Sequence, residues 1–245
     1  MTRYTKFVYP IAFALTLWVI IIELFDLPKY ILPGPLDVAD SFWKSRWLIL
    51  EHTYYTASEV VIGILIGVSI GVITALAIAY SESVRLFVQP LLLFSQVIPV
   101  FALAPLLTLW LGYGLSSKVA MAVLIIYFPV TISFYNGLMR TPPGYLDLAT
   151  TMNASKSSKL WHIQVPNAIP SLCSGLQLAA VYAPIGAVIG EWVGSSKGLG
   201  YLMLLANGRA KTDLMFSALL MLGVLTIALH GLMSYLTTQI KLRVE

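Results

Sequence analysis

Long runs of apolar residues without a charged side chain divide the chain into candidate helices. Five such runs have 20 residues or more, at 60–81, 86–117, 119–139, 171–190 and 214–240. A helix needs about 20 apolar residues to cross the hydrocarbon core of a bilayer. A shorter run, Phe7 to Ile22, leads into Glu23 without the small-residue cleavage site that ends a signal peptide. We therefore predict an all-α, polytopic membrane protein with about six transmembrane helices, at 7–27, 58–80, 87–111, 118–139, 171–191 and 214–238.

The run from 86 to 117 is the ambiguous one. It contains Pro90, Pro99 and Pro105, and each proline removes a backbone donor from a helix. One kinked helix and a helix followed by a re-entrant piece both fit this pattern.

Three glycines of the second span, Gly63, Gly67 and Gly71, recur every four residues and share one helical face. In lipid, such a face allows a neighbouring helix to approach closely. The pattern therefore predicts a helix–helix contact and not a solute site.

Composition supports the membrane class. Of the 245 residues, 58% are hydrophobic and only 11% are charged, whereas a soluble domain is about one quarter charged. The net charge of +4 comes from scattered lysines and arginines, so nucleic-acid binding has no support.

Cys173 is the only cysteine, which excludes an internal disulfide and a multi-cysteine zinc site. We expect it to pack as a small hydrophobe.

The basic residues outside the spans do not settle the orientation. If the N-terminus lies inside, eight of them lie on the inner side and seven on the outer side. This difference is too small to decide the topology by the positive-inside rule.

The segment 141–170 is polar enough to lie outside the bilayer. Thr141, followed by Pro142 and Pro143, predicts an N-cap and the first turn of a short amphipathic helix. A second short helix is expected to end at Pro166 and Pro170. Such a helical hairpin suits a partner protein, but an interfacial helix lying on lipid fits the pattern equally well.

This segment resembles the cytoplasmic loop of the permease subunits of bacterial ABC importers, a loop of the form Glu-Ala-Ala, three residues, Gly, nine residues, Ile, one residue, Leu-Pro. The spacing is intact, with Asp147 in place of Glu and Asn153 in place of Gly, and Asn also tolerates a left-handed backbone. The resemblance runs from about residue 50 to the C-terminus, and the positions that it implies for docking an ATPase are Asp147, Leu148, Ala149, Asn153, Ile163, Val165 and Pro166.

The resemblance also implies the architecture and the partners. It implies the type I importer fold, with an N-terminal helix and periplasmic segment at 1–50 and the permease domain at 51–240. Two permease copies, expected to be identical, would form the pathway in the bacterial inner membrane with both termini cytoplasmic. Cytoplasmic ATPase subunits and an extracytoplasmic solute-binding protein would complete the importer. The chain has no P-loop of the form Gly-x4-Gly-Lys-Ser/Thr, so ATP must be used by the partner subunit and this chain binds no cofactor.

The stretch from Tyr182 to Tyr201 narrows the expected solute. It resembles the branch that carries taurine, aliphatic sulfonates, nitrate or thiamine precursors, and is most similar to the hydroxymethylpyrimidine importers. We therefore expect a thiamine precursor, with a sulfonate or nitrate as the alternative.

Candidate residues of the solute pathway are Gln96, Tyr182 and Glu191. Gln96 and Tyr182 are uncharged polar groups within spans and suit a neutral heteroaromatic solute. Glu191 lies at the edge of a span, where it either serves the pathway or pairs with Lys197 or Arg209 at the interface. The interior of each predicted span contains no lysine or arginine, which disfavours an anionic solute, although helix ends and backbone amides could bind one.

Other functional classes have less support. Glu23 is expected to reach out to water and His230 to be a hydrogen-bonded packing residue. A secondary transporter without an ATPase would show inverted repeats or charged midplane residues, and neither is evident. The three histidines, His52, His162 and His230, fall in different compartments, so we expect no catalytic residue, no metal site and no enzyme activity.

Overall fold

The computed structural model describes residues 5–242, with side chains from Tyr9 onward. Within that part the chain is helical, with no strand, as predicted. The helices are α1 (Thr5–Phe25), α2 (Pro35–Lys44), α3 (Arg46–Tyr80), α4 (Glu82–Val97), α5 (Val100–Leu111), α6 (Leu115–Met139), α7 (Pro143–Thr151), α8 (Lys156–Lys159), α9 (Val165–Gly194), α10 (Leu199–Gly208) and α11 (Thr212–Lys241).

Four spans meet the length and hydropathy expected of a membrane crossing: α3, α6, the continuous helix 156–194 and α11. The pair α4–α5 makes a fifth if it is counted as one span. The expected number was about six, and the difference is α1, whose described apolar part is the shorter helix Tyr9–Phe25.

The helices α4 and α5 are bent by 101° at the break between them. Ile98 and Pro99 are both extended there, with ψ of 120° and 113°. A proline disfavours helical geometry at the residue before it, which explains why the helix stops at Val97. A single gently kinked helix is therefore excluded, and the run 86–117 forms two helices.

The core is built around α6, which lies between α3 and α9. A Cβ added at Gly63 or Gly67 would come within 2.7 Å of Ala122 or Ile126 on α6, so the glycine face of α3 packs directly on that helix. On the other side, a Cβ at Gly186 of α9 would lie 2.6 Å from the Ala122 backbone. The predicted close helix approach is confirmed, and it fixes the depth of α3, α6 and α9 relative to one another.

The helix after the loop does not end at Pro166 and Pro170, so that prediction is wrong. Instead α8 continues through a π-helical turn, Leu160–Gln164, directly into α9. Pro166 directly follows the π-helical turn, and Pro170 is accommodated inside α9. The loop is therefore continuous with a membrane-spanning helix.

The bundle has two ends, which we name by what they carry. The loop end holds 140–159, where the Lys156 ammonium lies 5.3 Å from the Tyr80 ring centroid. The far end holds the connection between α9 and α10, next to the start of α6, where Lys118 donates to the Gly194 carbonyl at 2.9 Å.

The surroundings of Cys173, Glu23 and His230 bear on the predictions for these residues. Cys173 is buried and free, as a packed hydrophobe should be. Glu23 is exposed on α1. His230 is exposed on α11 and forms no hydrogen bond within the described chain, so the expectation of a packed, hydrogen-bonded histidine is wrong.

Candidate functional site

The turn between α7 and α8 is built on Asn153. Its φ of +55° is left-handed, and the bonds around it form a Schellman motif. The Asn153 N–H donates to the Thr150 carbonyl at 2.9 Å and the Ala154 N–H donates to the Ala149 carbonyl at 2.8 Å. Asparagine is one of the few residues besides glycine that adopt this conformation readily. This left-handed backbone explains why Asn153 can stand where the importer loop pattern has a glycine.

The start of α7 differs from the prediction. Its N-cap is Pro142, with Pro143 in the first turn, and no side chain caps it. Thr141 instead donates its hydroxyl back to the Leu138 carbonyl at 3.0 Å. The Asn167 amide lies 3.4 Å from the same hydroxyl, so Thr141 joins the loop to α9.

The seven expected docking residues differ in exposure. Asp147, Leu148 and Asn153 are exposed, Ile163, Val165 and Pro166 are half-buried, and Ala149 is buried. The exposed surface of the loop also includes Tyr145 and Met152. Three large apolar side chains on one nine-residue helix and its C-cap thus face outward, while Ala149 holds the helix against the bundle.

Gln96 and Tyr182 line one cavity, which lies beside the break between α4 and α5. Its volume is about 540 Å³, within the range of small-molecule sites. Its lining is Gln96, Val100, Ile125, Phe128, Pro129, Ile132, Ser133, Leu178 and Tyr182. The structure therefore brings together two residues 86 positions apart in the sequence and adds Ser133 and Phe128, which sequence reasoning missed.

The cavity offers polar groups without charge. The side chains of Gln96, Ser133 and Tyr182 make no hydrogen bond to any residue of the described chain, so their donors and acceptors are free. Pro129 lacks an N–H, which leaves the Ile125 carbonyl without its helical partner. This combination can hydrogen-bond an uncharged polar solute between aromatic and aliphatic walls.

Glu191 does not lie with Gln96 and Tyr182. It is 1% exposed at the far end, where it borders a separate cavity of about 520 Å³. The Thr56 hydroxyl donates to its Oε1 at 2.6 Å and the Gly200 N–H to its Oε2 at 2.5 Å. An interfacial pair with Lys197 or Arg209 is therefore not formed. Instead the Glu191 carboxylate neutralises the N-terminus of α10, where backbone donors lack helical partners.

Glycine is required where α10 begins. Gly198 has φ of +104°, and a Cβ there would overlap the Glu191 carboxyl. The Gly198 N–H donates to His52 Nδ1 at 2.9 Å, and the Leu199 N–H donates to Thr56 Oγ1 at 2.8 Å. The N–H groups of Gly198, Leu199 and Gly200 are thus bound by side chains of α3 and α9.

Lys118 and Glu59 complete this far-end cluster, and sequence reasoning missed both. Lys118 is 2% exposed and donates to the carbonyls of Tyr113, Gly114 and Gly194 at 2.6, 2.7 and 2.9 Å. Lys118 lies in the first turn of α6, at the edge of a span and not in its interior, yet its side chain is buried. A signal was present: Glu59, Lys118 and Glu191 each border a charge-free run, on the same side of the membrane in any six-span arrangement.

An exposed rim surrounds the cluster. The Lys197 ammonium donates to the Tyr55 hydroxyl at 2.5 Å and lies 3.8 Å from the Glu51 carboxylate. The hydrogen bond to Tyr55, ahead of the nearby charges, raises the pKa of Lys197 above its ordinary value. This contact joins the α9–α10 connection to α3 a second time.

Comparison with known proteins agrees with this architecture. Residues 67–242 match the family of binding-protein-dependent transport system inner membrane components. A probable ABC transporter permease of Haemophilus influenzae is 48% identical over 88% of this chain and 88% of its own length. The formylaminopyrimidine transport permease ThiX of Halalkalibacterium halodurans is 38% identical over 76% of this chain and 75% of its own.

A solved structure has the same fold. It is an inward-facing form of the MetNI methionine ABC transporter, with a TM-score of 0.69 over 82% of this chain and 98% of the other. Its identity of 17% supports the fold alone.

These matches decide the class. The ATPase-independent transporter, considered as an alternative, does not agree with them, and relatives of this kind are transport subunits and not enzymes. The family implies a partner that hydrolyses ATP and a solute-binding protein, and a location in the inner membrane. The chain belongs to the binding-protein-dependent transport system inner membrane components, the permease subunits of ABC importers.

Proposed function

We propose that two copies of this chain form the pathway of an importer for an uncharged heteroaromatic solute of the thiamine-precursor type, such as a hydroxymethylpyrimidine. A cytoplasmic ATPase binds the loop 141–170 and drives alternating access. The observation that carries this proposal is the loop itself, a rigid helical turn with exposed apolar side chains, continuous with a spanning helix.

The docking surface consists of the exposed residues Tyr145, Asp147, Leu148 and Met152. An apolar patch on a polar loop is costly in water, and burial against a partner removes that cost. The Schellman turn at Asn153 and the hydrogen bond between Lys159 and Thr150, at 2.8 Å, hold the patch in one conformation. Because α8 runs on into α9, a push on this patch moves a helix that lines the cavity.

A cytoplasmic loop fixes the orientation of the rest of the chain. The loop end then faces the cytoplasm. With an even number of spans, both ends of the described chain lie on that side as well. The far-end cluster faces the solute-binding protein. We infer this orientation from the loop, since charge counting gives no preference.

The solute pathway runs through the cavity of Gln96, Ser133 and Tyr182. Its lining contains no charged side chain, and the buried Lys118 spends its donors on three carbonyls. An uncharged ring with hydrogen-bonding substituents suits this surface, and the pyrimidine permease among the relatives supports the same class. Glu191 acts at the far end of the pathway by shaping α10. The alternative is the same machinery carrying taurine, an aliphatic sulfonate or nitrate.

Docking is tested with Asp147→Arg. We expect this variant to insert into the membrane normally, because Asp147 is exposed, and to lose co-purification of the ATPase, because the charge in the contact is reversed. The matched control is Glu82→Arg, an exposed acid at the same end of the bundle. A variant that still retains its ATPase and transports normally contradicts the docking assignment.

The solute is tested on the cognate binding protein, titrated with a hydroxymethylpyrimidine, taurine and nitrate. We expect tight binding of the pyrimidine only. Tight binding of the sulfonate or of nitrate overturns the pyrimidine assignment and leaves the docking assignment intact.

A further inference from the structure

The far-end cluster holds two buried acids and one buried base. The exposed fractions of Glu59, Glu191 and Lys118 are 5%, 1% and 2%. The Glu59 and Glu191 carboxyls lie within hydrogen-bonding reach of each other, and Lys118 interacts with both electrostatically. If both acids were ionised, one net negative charge would be buried without compensation, which is unfavourable.

The donors around Glu191 identify it as the ionised partner. Thr56 Oγ1 accepts the Leu199 N–H at 2.8 Å, so its own hydrogen is free to be donated. Glu191 Oε1 lies 2.6 Å from it, whereas the alternative acceptor, the His52 carbonyl, lies at 3.3 Å. With the Gly200 N–H on Oε2, both oxygens of Glu191 act as acceptors, which is the role of a carboxylate.

No donor remains for Glu59. An ammonium group has three donors, and those of Lys118 are all taken by backbone carbonyls. Glu59 Oε2 is buried without any hydrogen-bond partner in the described chain. A buried carboxylate without donors is costly, whereas a protonated carboxyl needs only an acceptor. The neighbouring Glu191 carboxylate is that acceptor.

The other titratable groups do not change this balance. On α3, His52 accepts the Gly198 N–H at Nδ1 and is therefore a neutral ring. On α10, Tyr201 stacks on that ring, with the centroids 5.9 Å apart. Lys197 is bound to Tyr55 and Glu51 at the exposed rim. Lys118 is the only group of α6 and Glu191 the only group of α9 that face Glu59 among the described residues.

We propose that Glu59 and Glu191 form a buried proton-binding site, in which the Glu59 hydroxyl donates to the Glu191 carboxylate and Lys118 balances the remaining charge. The proton holds the N-terminus of α10 and the ends of α3, α6 and α9 together. Its removal places two like charges in contact and releases the α9–α10 connection first, since Glu191 holds it through Gly200. This inference does not depend on the solute or on the ATPase.

Infrared difference spectroscopy of the full chain in lipid nanodiscs tests the site directly. Near neutral pH we expect the carbonyl stretch of a protonated carboxyl in the wild type and in the control Glu51→Gln, an exposed acid on the same helix. The band should vanish in Glu59→Gln. A wild type without the band, or a band that persists in Glu59→Gln, overturns the proposal.

Thermal unfolding gives a second measurement, which does not depend on detecting the infrared band. Glu59→Gln replaces the hydroxyl by an amide donor, so we expect its melting temperature within about 2 °C of the wild type. It should also lack the fall in melting temperature that loss of the Glu59 proton causes in the wild type at alkaline pH. Glu191→Gln removes the carboxylate that binds α10, so we expect a fall of at least about 5 °C. Equal falls in both variants, or stabilisation of the wild type by Na⁺ in place of the proton, contradict a shared proton.

Discussion

At the far end of the bundle, Glu191 accepts hydrogen bonds from Thr56 and Gly200 and is covered by neighbouring helices. At the loop end, Asp147 is exposed and accepts no side-chain hydrogen bond from the described chain, and Leu148 beside it is 60% exposed. At the far end, the hydrogen-bond partners of the polar groups thus belong to the same chain, whereas the side chains at the loop end are left exposed. The far end satisfies most of its polar groups within the chain, Glu59 Oε2 excepted, which makes it a structural unit. The loop end leaves apolar and charged groups for another protein.

This difference predicts two kinds of mutant. Substitutions in the far-end cluster should reduce the stability of the permease itself, whereas substitutions on the exposed face of the loop should leave stability unchanged and weaken the ATPase contact. The cavity near the α4–α5 break lies between them, with polar groups that are free in the chain and available to a solute.

The largest expected effect is that of Lys118→Met. It leaves three carbonyls without a donor and Glu191 without a counter-charge, so we expect a loss of about 3–5 kcal/mol in the free energy of unfolding. Denaturant titration in detergent micelles measures it. The control is Lys44→Met, a lysine at the same end whose side chain is 72% exposed. If the two variants are equally stable, the cluster does not have the structural role assigned to it.

Gly198→Ala comes next. The φ of +104° and the overlap with the Glu191 carboxyl both oppose a side chain at this position. We expect a loss of about 2 kcal/mol or more in the free energy of unfolding, seen as a lower melting temperature. Gly208→Ala is the matched control, because a Cβ there meets open space at the end of α10. A fall of equal size in the control contradicts the tight contact between Gly198 and Glu191.

Asn153 tests the geometry of the loop. The backbone at position 153 has φ of +55°, which glycine adopts readily. Valine raises the local free energy of this left-handed turn by about 1–2 kcal/mol. Because the turn lies outside the bundle core, we expect the valine variant to keep its melting temperature and to bind the ATPase more weakly in a pull-down titration. Equal binding by both variants would show that the turn does not shape the docking surface.

The smallest effect belongs to Lys197→Met at the rim. The hydrogen bond to Tyr55 raises the pKa of Lys197, so its stabilisation is present below the ordinary lysine pKa and is lost as pH rises through the raised value. The Lys197 side chain is 49% exposed to solvent, so only a slight change of melting temperature is expected. Loss of the Glu59 proton is expected to lower the melting temperature of the wild type at alkaline pH, and this fall should persist in Lys197→Met. If it disappears, it belongs to the rim and not to Glu59.

The sequence predicted the helices better than it predicted their polar contacts. Charge-free runs located the spans because burial in lipid requires apolar side chains over a fixed length. Asn153 was recognised because left-handed geometry has few candidates. The bend at Ile98–Pro99 remained open, since a proline can either kink a helix or end it.

The far-end cluster was missed for a physical reason. Thr56 and Glu191 are 135 positions apart and meet only after α3, α6 and α9 pack together. In the sequence, Glu59, Lys118 and Glu191 lie at the edges of spans, where a charged residue usually reaches water. Only the depth set by the glycine contacts between helices shows that these three side chains are covered.

The most direct test of the docking assignment is a site-specific cross-link. Cys173 is the only cysteine, so Cys173→Ala gives a cysteine-free background. In it, Leu148→Cys on the loop is compared with Leu36→Cys on α2 at the far end, where Leu36 is 85% exposed. Each thiol carries a photo-activated cross-linker in the assembled importer. We predict an adduct with the ATPase from position 148 and none from position 36. An ATPase adduct from position 36, or none from position 148 in an intact complex, would contradict the assignment of this loop as the ATPase contact.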